Sequence, residues 1–292
     1  MTERLMSLEA SWLLLMSLAL LLLLLRLIAG WIWRIARHSP RLAQWLMQVP
    51  GPRAAWFWAS NRWPWLTGRL AARLEPRTFP GLPLTLLVLL SIYLASLGVG
   101  LLDDLAEGED LFAWDTRINQ ALNSIRADPV VRVFAWITGL GNTETLAAVT
   151  LVAMGFLWAD RRALFIPGLL LTIVGSQSVT WAGKFLVNRP RPEFLTFVEA
   201  SSPSFPSAHA TGALAVYGFV AYAIARDLRT PQQRFELGFW ATMLVALIAA
   251  SRMVLSVHFA SDILAGLLVG GFWLLAGFTL TEWLRHHRRA AG

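Results

Sequence analysis

The chain has 292 residues, 56% of them hydrophobic and only 15% charged, with 15 tryptophans and no cysteine. Charged residues make up about a quarter of a typical soluble domain, so the composition excludes an ordinary soluble enzyme. The lack of cysteine excludes a disulfide framework and a thiolate metal site. The net charge of +7 is compatible with nucleic-acid binding in amount but not in distribution, because it is sorted by position along the chain.

A membrane-spanning helix needs about 20 mostly apolar residues. Such stretches fall at roughly 11–29, 82–102, 144–159, 163–183, 208–225, 237–255 and 260–281. The first exceeds the apolar core of a signal peptide and no small-residue cleavage site follows it, so it reads as a span, with Arg26 able to snorkel to the interface. Between the first two spans, Trp31, Trp33, Trp45, Trp56, Trp58, Trp63 and Trp65 alternate with arginines and are interrupted by Pro50, Pro52, Pro64 and Pro76. Aromatics beside cations suit helices lying on a membrane surface. Within 103–135, Phe112, Ile118, Leu122 and Ile125 recur at helical spacing and predict a short amphipathic helix. The 144–159 span is the shortest of the seven.

The charges then orient the bundle. Arg34, Arg37, Arg41, Arg53, Arg62, Arg69, Arg73 and Arg77 lie between spans one and two, Arg161 and Arg162 between three and four. Arg226, Arg229 and Arg234 separate five from six, and Arg285, Arg288 and Arg289 end the chain. The positive-inside rule makes all four regions cytoplasmic. The intervening segment 103–135 carries seven acidic residues against three arginines and falls on the other side. The charges predict a multi-pass membrane protein with its N-terminus outside and its C-terminus in the cytoplasm. No nucleic-acid partner is expected.

Three polar clusters then fall on one face, the outer one: "KFLVNRPRP" at 184–192, "SPSFPSAH" at 202–209 and "SRMVLSVHFASD" at 251–262. Lys184 is the only lysine in the chain, a compact ammonium where every other cation is a guanidinium. Arg189 and Arg191 alternate with Pro190 and Pro192 in a stiff extended stretch suited to an oxyanion. Ser207 is a plausible N-cap of the span that follows, and a helix start is a ready anion site. His209 sits in that first turn. His258 and Asp262 are four residues apart; on one helical face the carboxylate would take one ring N–H and leave the other nitrogen as base or nucleophile. Lys184, Arg191 and Arg252 would repel a metal ion, so histidines among cations favour an anionic phosphoryl group and chemistry with no metal or cofactor.

The spacings K-x6-R-P from Lys184 to Pro192, P-S-A-H from Pro206 to His209 and S-R-x5-H-x3-D from Ser251 to Asp262 resemble, in order and spacing, the three motifs of the type 2 phosphatidic acid phosphatase (PAP2) family. The resemblance implies an all-α fold: a six-helix membrane bundle over about residues 81–292, preceded in 1–80 by one extra spanning helix and the Trp/Arg-rich interfacial segment. It implies His258 as nucleophile forming a phosphohistidine, Asp262 orienting it, and His209 protonating the leaving oxygen and then activating water. Lys184, Arg191, Ser207, Ala208 and Arg252 would bind phosphate; Arg189, outside the fixed motif positions, receives no catalytic role. Ala208 departs from the family's usual glycine. If its φ is positive it is strained by about 1–2 kcal/mol; if helical it costs nothing.

The expected activity is hydrolysis of a membrane lipid phosphomonoester or pyrophosphate at the outer face, with undecaprenyl pyrophosphate, phosphatidylglycerophosphate and phosphatidic acid as candidates. A lipid phosphate and the bilayer are the expected partners, with no obligate protein partner. The alternative is a catalytically weak protein that binds or moves lipids, for which Ala208 would be the clue. A vanadium haloperoxidase would be soluble, and a transporter would scatter its charges at mid-membrane depth.

Overall fold

The computed structural model describes residues 2–36, 50–76, 78–123, 126–192 and 202–291. Arg37, His38, Arg41, Trp45, Arg77 and Ile125 lie outside them. Among the described residues the chain is helical without strands, in eleven α-helices. These are α1 (Thr2–Ala36), α2 (Pro50–Arg62), α3 (Pro64–Leu74), α4 (Leu82–Glu107), α5 (Glu109–Asn123), α6 (Asp128–Gly139), α7 (Thr143–Ala159), α8 (Ile166–Val187), α9 (Ala208–Ala225), α10 (Pro231–Val254) and α11 (Ala260–Ala291). A 3₁₀ turn at Ala163–Phe165 leads into α8. Six helical stretches are long and apolar enough to cross a membrane, in α1, α4, α8 with its leading turn, α9, α10 and α11; α6 and α7, bent by 40° at a short break, supply a seventh if counted together. The expected span at 144–159 is α7, which at 17 residues reaches only about 26 Å and stops short of a ~30 Å hydrocarbon core. The chain is a multi-pass membrane protein.

Two compact units are present: residues 17–89, and residues 90–292 together with 1–16. In the first, Pro64 opens α3 where its missing N–H is no loss. Trp65, Leu66, Leu70 and Leu74 are exposed, and Arg69 lies over the Trp65 ring at 4.4 Å. An interfacial helix turns such a mixed face to lipid headgroups.

In the second unit α9 is central and packs against α7, α8, α10 and α11. Lipid tails are as apolar as leucine, so close backbone approach between small residues holds such helices together. Gly168 of α8 and Gly277 of α11 meet in this way. A Cβ on Gly277 would stand 1.9 Å from Thr172 Oγ1 and 2.6 Å from the Gly168 carbonyl. The Thr172 and Thr281 hydroxyls beside the crossing are buried and return their hydrogens to the carbonyls of Gly168 and Gly277 one turn back, at 2.9 and 2.8 Å. Phe219 of α9, fully buried, fills the gap with Phe165, Leu169 and Leu274.

Because α8 to α11 alternate in direction, the helix ends sort into two sets. At one end Arg162 pairs with Asp227, and Glu282 pairs with Arg226 at 3.1 Å and Arg285 at 2.8 Å. At the other end the three polar motifs converge.

The expected amphipathic helix in 103–135 exists as α5, but its burial is inverted. Phe112, Trp114 and Ile118 are exposed, whereas Asp115 and Asn119 are 2% and 3% exposed. In a membrane protein the apolar stripe can face lipid, and polar partners in the bundle draw the polar stripe inward.

Valine at Gly277 should force α8 and α11 apart. Overpacking of this kind costs about 1–3 kcal/mol, so thermal unfolding in detergent should show a lowered melting temperature for Gly277→Val.

Candidate active site

Asn188, at φ 46° in the left-handed region, ends α8, and the chain then runs extended through Arg189-Pro190-Arg191-Pro192, where helix is disfavoured. The two arginines nevertheless go to different places. Arg191 faces a cavity of about 1170 Å³, which Lys184, Ala208, His209, Arg252 and His258 also line. Six of the eight expected site residues therefore share one chamber. Ser207 and Asp262 stand behind it, both fully buried. Away from the motifs the cavity continues between α7 and α8 past Leu146, Leu151, Met154, Leu170 and Ile173, so polar chemistry sits at the mouth of an apolar slot.

Among the described residues, the cations are held by neutral acceptors. Lys184 donates to the Pro203 carbonyl. Arg191 donates to the carbonyls of Val257 at 2.6 Å and Ser202 at 2.9 Å. Arg252 donates to Thr138 Oγ1 at 2.7 Å, and among the described residues its buried Nε has no partner. Ser207 occupies the N-cap position of α9, as expected, but its hydroxyl does not cap the helix and is likewise buried and unpartnered. An unpaired buried donor costs roughly 1–3 kcal/mol. Two of them beside three cations and a helix N-terminus suit a bound oxyanion.

His258 does not share a helical face with Asp262. It lies in the turn after α10, following Ser256 at φ 57°, and α11 begins only at Ala260. The turn still brings the two together, with His258 Nδ1 3.5 Å from Asp262 Oδ2. That is an ion-pair separation rather than a made hydrogen bond, and Oδ2 meanwhile accepts from Phe259 N–H at 2.9 Å. On the opposite ring edge Arg191 Nη1 is 3.4 Å from Nε2. Arginine can only donate, so the arrangement favours the tautomer with the proton on Nδ1 and the lone pair of Nε2 toward the cavity. Burial pushes His258 down from its ordinary 6.5 to about 4, opposed by Asp262 and reinforced by Arg191 and Arg252. Its ring is neutral at pH 7 and available as a nucleophile.

His209 Nε2 lies 2.9 Å from Asn142 Oδ1. A carboxamide offers either an acceptor or a donor to a ring nitrogen, so Asn142 can serve both protonation states of His209. Sequence reasoning missed Asn142 and Thr138, which carry no motif and reach the site only because α6 and α7 fold against it. Ala208 is the first residue of α9 and is not among the positive-φ residues. The helical alternative holds and the residue is unstrained.

Asp115 had no place in the sequence reading, and Arg189 was given no catalytic role there. Arg189 does not reach the cavity. Its two terminal nitrogens hold Asp262 Oδ1 at 2.7 Å and Asp115 Oδ2 at 2.8 Å. The only advance sign was the polar i, i+4 pair Asp115 and Asn119 on one face of an amphipathic helix.

A second cavity of about 750 Å³ lies between α7 and α9 near Arg162. Its walls are almost wholly apolar and hold none of these groups.

An oxyanion site of this make-up should be measurable directly. Orthovanadate added to the purified protein should raise its melting temperature with concentration, as the folded state gains RT ln(1 + [L]/Kd) of stability. Arg252→Gln should abolish most of that increment.

Comparison with known proteins gives three findings. The sequence model of the PAP2 superfamily matches residues 166–286, which include α8 to α10, most of α11 and all three motifs. Phosphatidylglycerophosphatase B of Bacillus subtilis is 30% identical over 169 residues, 56% of this chain and 82% of that protein. The crystal structure of a transmembrane PAP2-type phosphatidylglycerolphosphate phosphatase from Bacillus subtilis superposes with a TM-score of 0.60 at 26% identity, covering 67% of this chain and 96% of that one.

Proposed function

The chain belongs to the PAP2 superfamily, and from that premise we propose that it is a lipid phosphatase releasing inorganic phosphate from a membrane lipid through a phosphohistidine. The observation that carries this reading is His258, buried, with Nε2 turned into a chamber where, among the described residues, Lys184, Arg191 and Arg252 bond neutral acceptors and form no ion pair, the one carboxylate of the lining, Glu144, being exposed.

In the proposed reaction the phosphoryl group sits among the three cations, the Ser207 hydroxyl and the first amides of α9. Nε2 of His258 attacks phosphorus, the N–P bond forms as the P–O bond to the lipid breaks, and His209 gives the leaving oxygen its proton. The resulting imidazolium-like ring has its Nδ1 proton facing Asp262. His209, now a base, takes a proton from water, and the hydroxide displaces phosphate from His258. No step needs a metal, and the three cations would repel one. Charge developing on phosphoryl oxygens is stabilised best by groups already fixed in place, and each cation here is anchored by a carbonyl or hydroxyl before substrate arrives.

The apolar slot leading from the chamber suits a lipid chain. Among undecaprenyl pyrophosphate, phosphatidic acid and phosphatidylglycerophosphate, the named activity of the Bacillus relatives favours the last. Residues 81–292 are the proposed catalytic core, with 1–80 an anchoring and interfacial extension. The motif end is proposed to face the outside of the inner membrane, because the opposite end carries the basic loops. Unstrained Ala208 removes the main argument for a catalytically weak lipid binder.

Purified protein in detergent with chelator should release phosphate from phosphatidylglycerophosphate, and His258→Ala should abolish release; no release from any of the three lipids would overturn the reading. Ala208→Gly should change turnover by less than about threefold, since helical backbone gives glycine no advantage and costs it up to ~1 kcal/mol. The acid limb of kcat/KM, which reports the free enzyme, should lie nearer pH 4 than 6.5. A nucleophile held neutral by burial loses activity only as pH falls through its lowered pKa.

A further inference from the structure

Helix α5 lies outside the segment matched by the family model, residues 166–286, yet its buried side touches the His258 turn at both ends. At the far end of the turn, Asp115 accepts from Ser261 N–H at 3.0 Å, from the Ser261 hydroxyl and from Arg189 Nη2 at 2.8 Å. Arg189 Nη1 goes on to Asp262 Oδ1 at 2.7 Å and Ser261 Oγ at 2.7 Å, and its guanidinium lies over the Phe259 ring at 4.3 Å. At the near end, Asn119 accepts from Arg126, and Arg126 donates to the carbonyls of Met253 and Val254 at 2.9 Å each, satisfying the last turn of α10.

We propose that Asp115 and Arg189 are positioning residues for the nucleophile: together they fix the Asp262 carboxylate and leave it charged enough to support the His258 ring. This rests on His258 acting as the nucleophile. Two carboxylates share one guanidinium, so the buried cluster of Asp115, Arg189 and Asp262 carries a net charge of −1. If Arg189 faced Asp262 alone, the pair would be neutral and the aspartate would do less for a ring that becomes cationic as the N–P bond forms. Geometry works in the same direction. With Oδ1 on Arg189 and Oδ2 on Phe259 N–H, the carboxylate cannot rotate, and Oδ2 stays opposite His258 Nδ1. A guanidinium fork can hold two carboxylates at once; an ammonium is a single point charge. Among the described residues, the other charged or titratable groups of the chamber that His258 faces are Arg191, Arg252, Lys184, His209 and Glu144. They belong to α7, α8, α9, α10 and the extended stretch, and substitutions at Asp115 and Arg189 leave them unchanged.

Asp115→Asn, Asp115→Glu and Arg189→Lys are made beside wild type and His258→Ala, and phosphate release is measured per mole of monodisperse folded protein from pH 3.5 to 8. Asp115→Asn is expected to lower kcat by about 10- to 100-fold, the range for partners one step removed from a functional histidine. KM should stay within about twofold. Loss of the cluster's charge makes His258 less basic, so the acid limb of kcat/KM should move to lower pH, and Asp115→Glu should recover part of both effects. Arg189→Lys should lower kcat in the same way. A kcat per folded molecule equal to wild type, or a reduced kcat with an unmoved acid limb, would overturn the proposal, because a purely structural brace changes only the amount of folded protein. If Asp115→Asn does not fold, wild-type kcat in folded Arg189→Lys overturns it equally. Absence of activity in wild type itself would instead count against the phosphatase reading.

Discussion

Asp262 joins the three motif segments, and the geometry of the site depends on it. Its backbone carbonyl accepts from Ser207 N–H at 2.9 Å and so ties the start of α9 to the start of α11. One carboxylate oxygen takes Arg189 from the extended stretch after α8, and the other takes Phe259 N–H in the turn that carries His258. The residue is fully buried. A charge at such depth is tolerated only when paired and hydrogen-bonded. The pairing requirement thus also assembles the site, because the partners that satisfy the carboxylate come from separate elements.

The same constraint explains how the chamber remains open to an anion. Arg189 is committed to carboxylates, whereas Lys184, Arg191 and Arg252 are held by neutral acceptors. Proline at 190 and 192 keeps the two arginines on a stretch that cannot become helical; Arg189 turns inward to the carboxylates and Arg191 faces the cavity. Sorting cations by the charge of their acceptors separates scaffold from the proposed phosphate-binding groups more clearly than their order in the motif does.

Much of this was legible in the sequence. The limits of α9 follow the apolar run at 208–225, and all eight expected site residues lie in or directly behind one chamber. What escaped prediction has physical causes. His258 and Asp262 meet through a turn instead of a helical face, since the left-handed Ser256 and the Asp262–Phe259 contact close the chain on itself. The side of α5 that is buried is its polar one, because an apolar stripe is a core signal only when the alternative is water. Asn142 and Thr138 reach the site through the bend between α6 and α7, and a fold-dependent contact of that kind has no local signature. The third span proved to be one arm of that bent pair.

The central claim is that His258 takes the phosphoryl group. The most direct test is rapid quenching of the enzyme during turnover of a lipid labelled with ³²P in its terminal phosphate, followed by analysis of the protein. The account predicts label on the protein that is stable to alkali, labile to acid and absent from His258→Ala. Phosphate release without any labelled protein, or label that persists in His258→Ala, would contradict it.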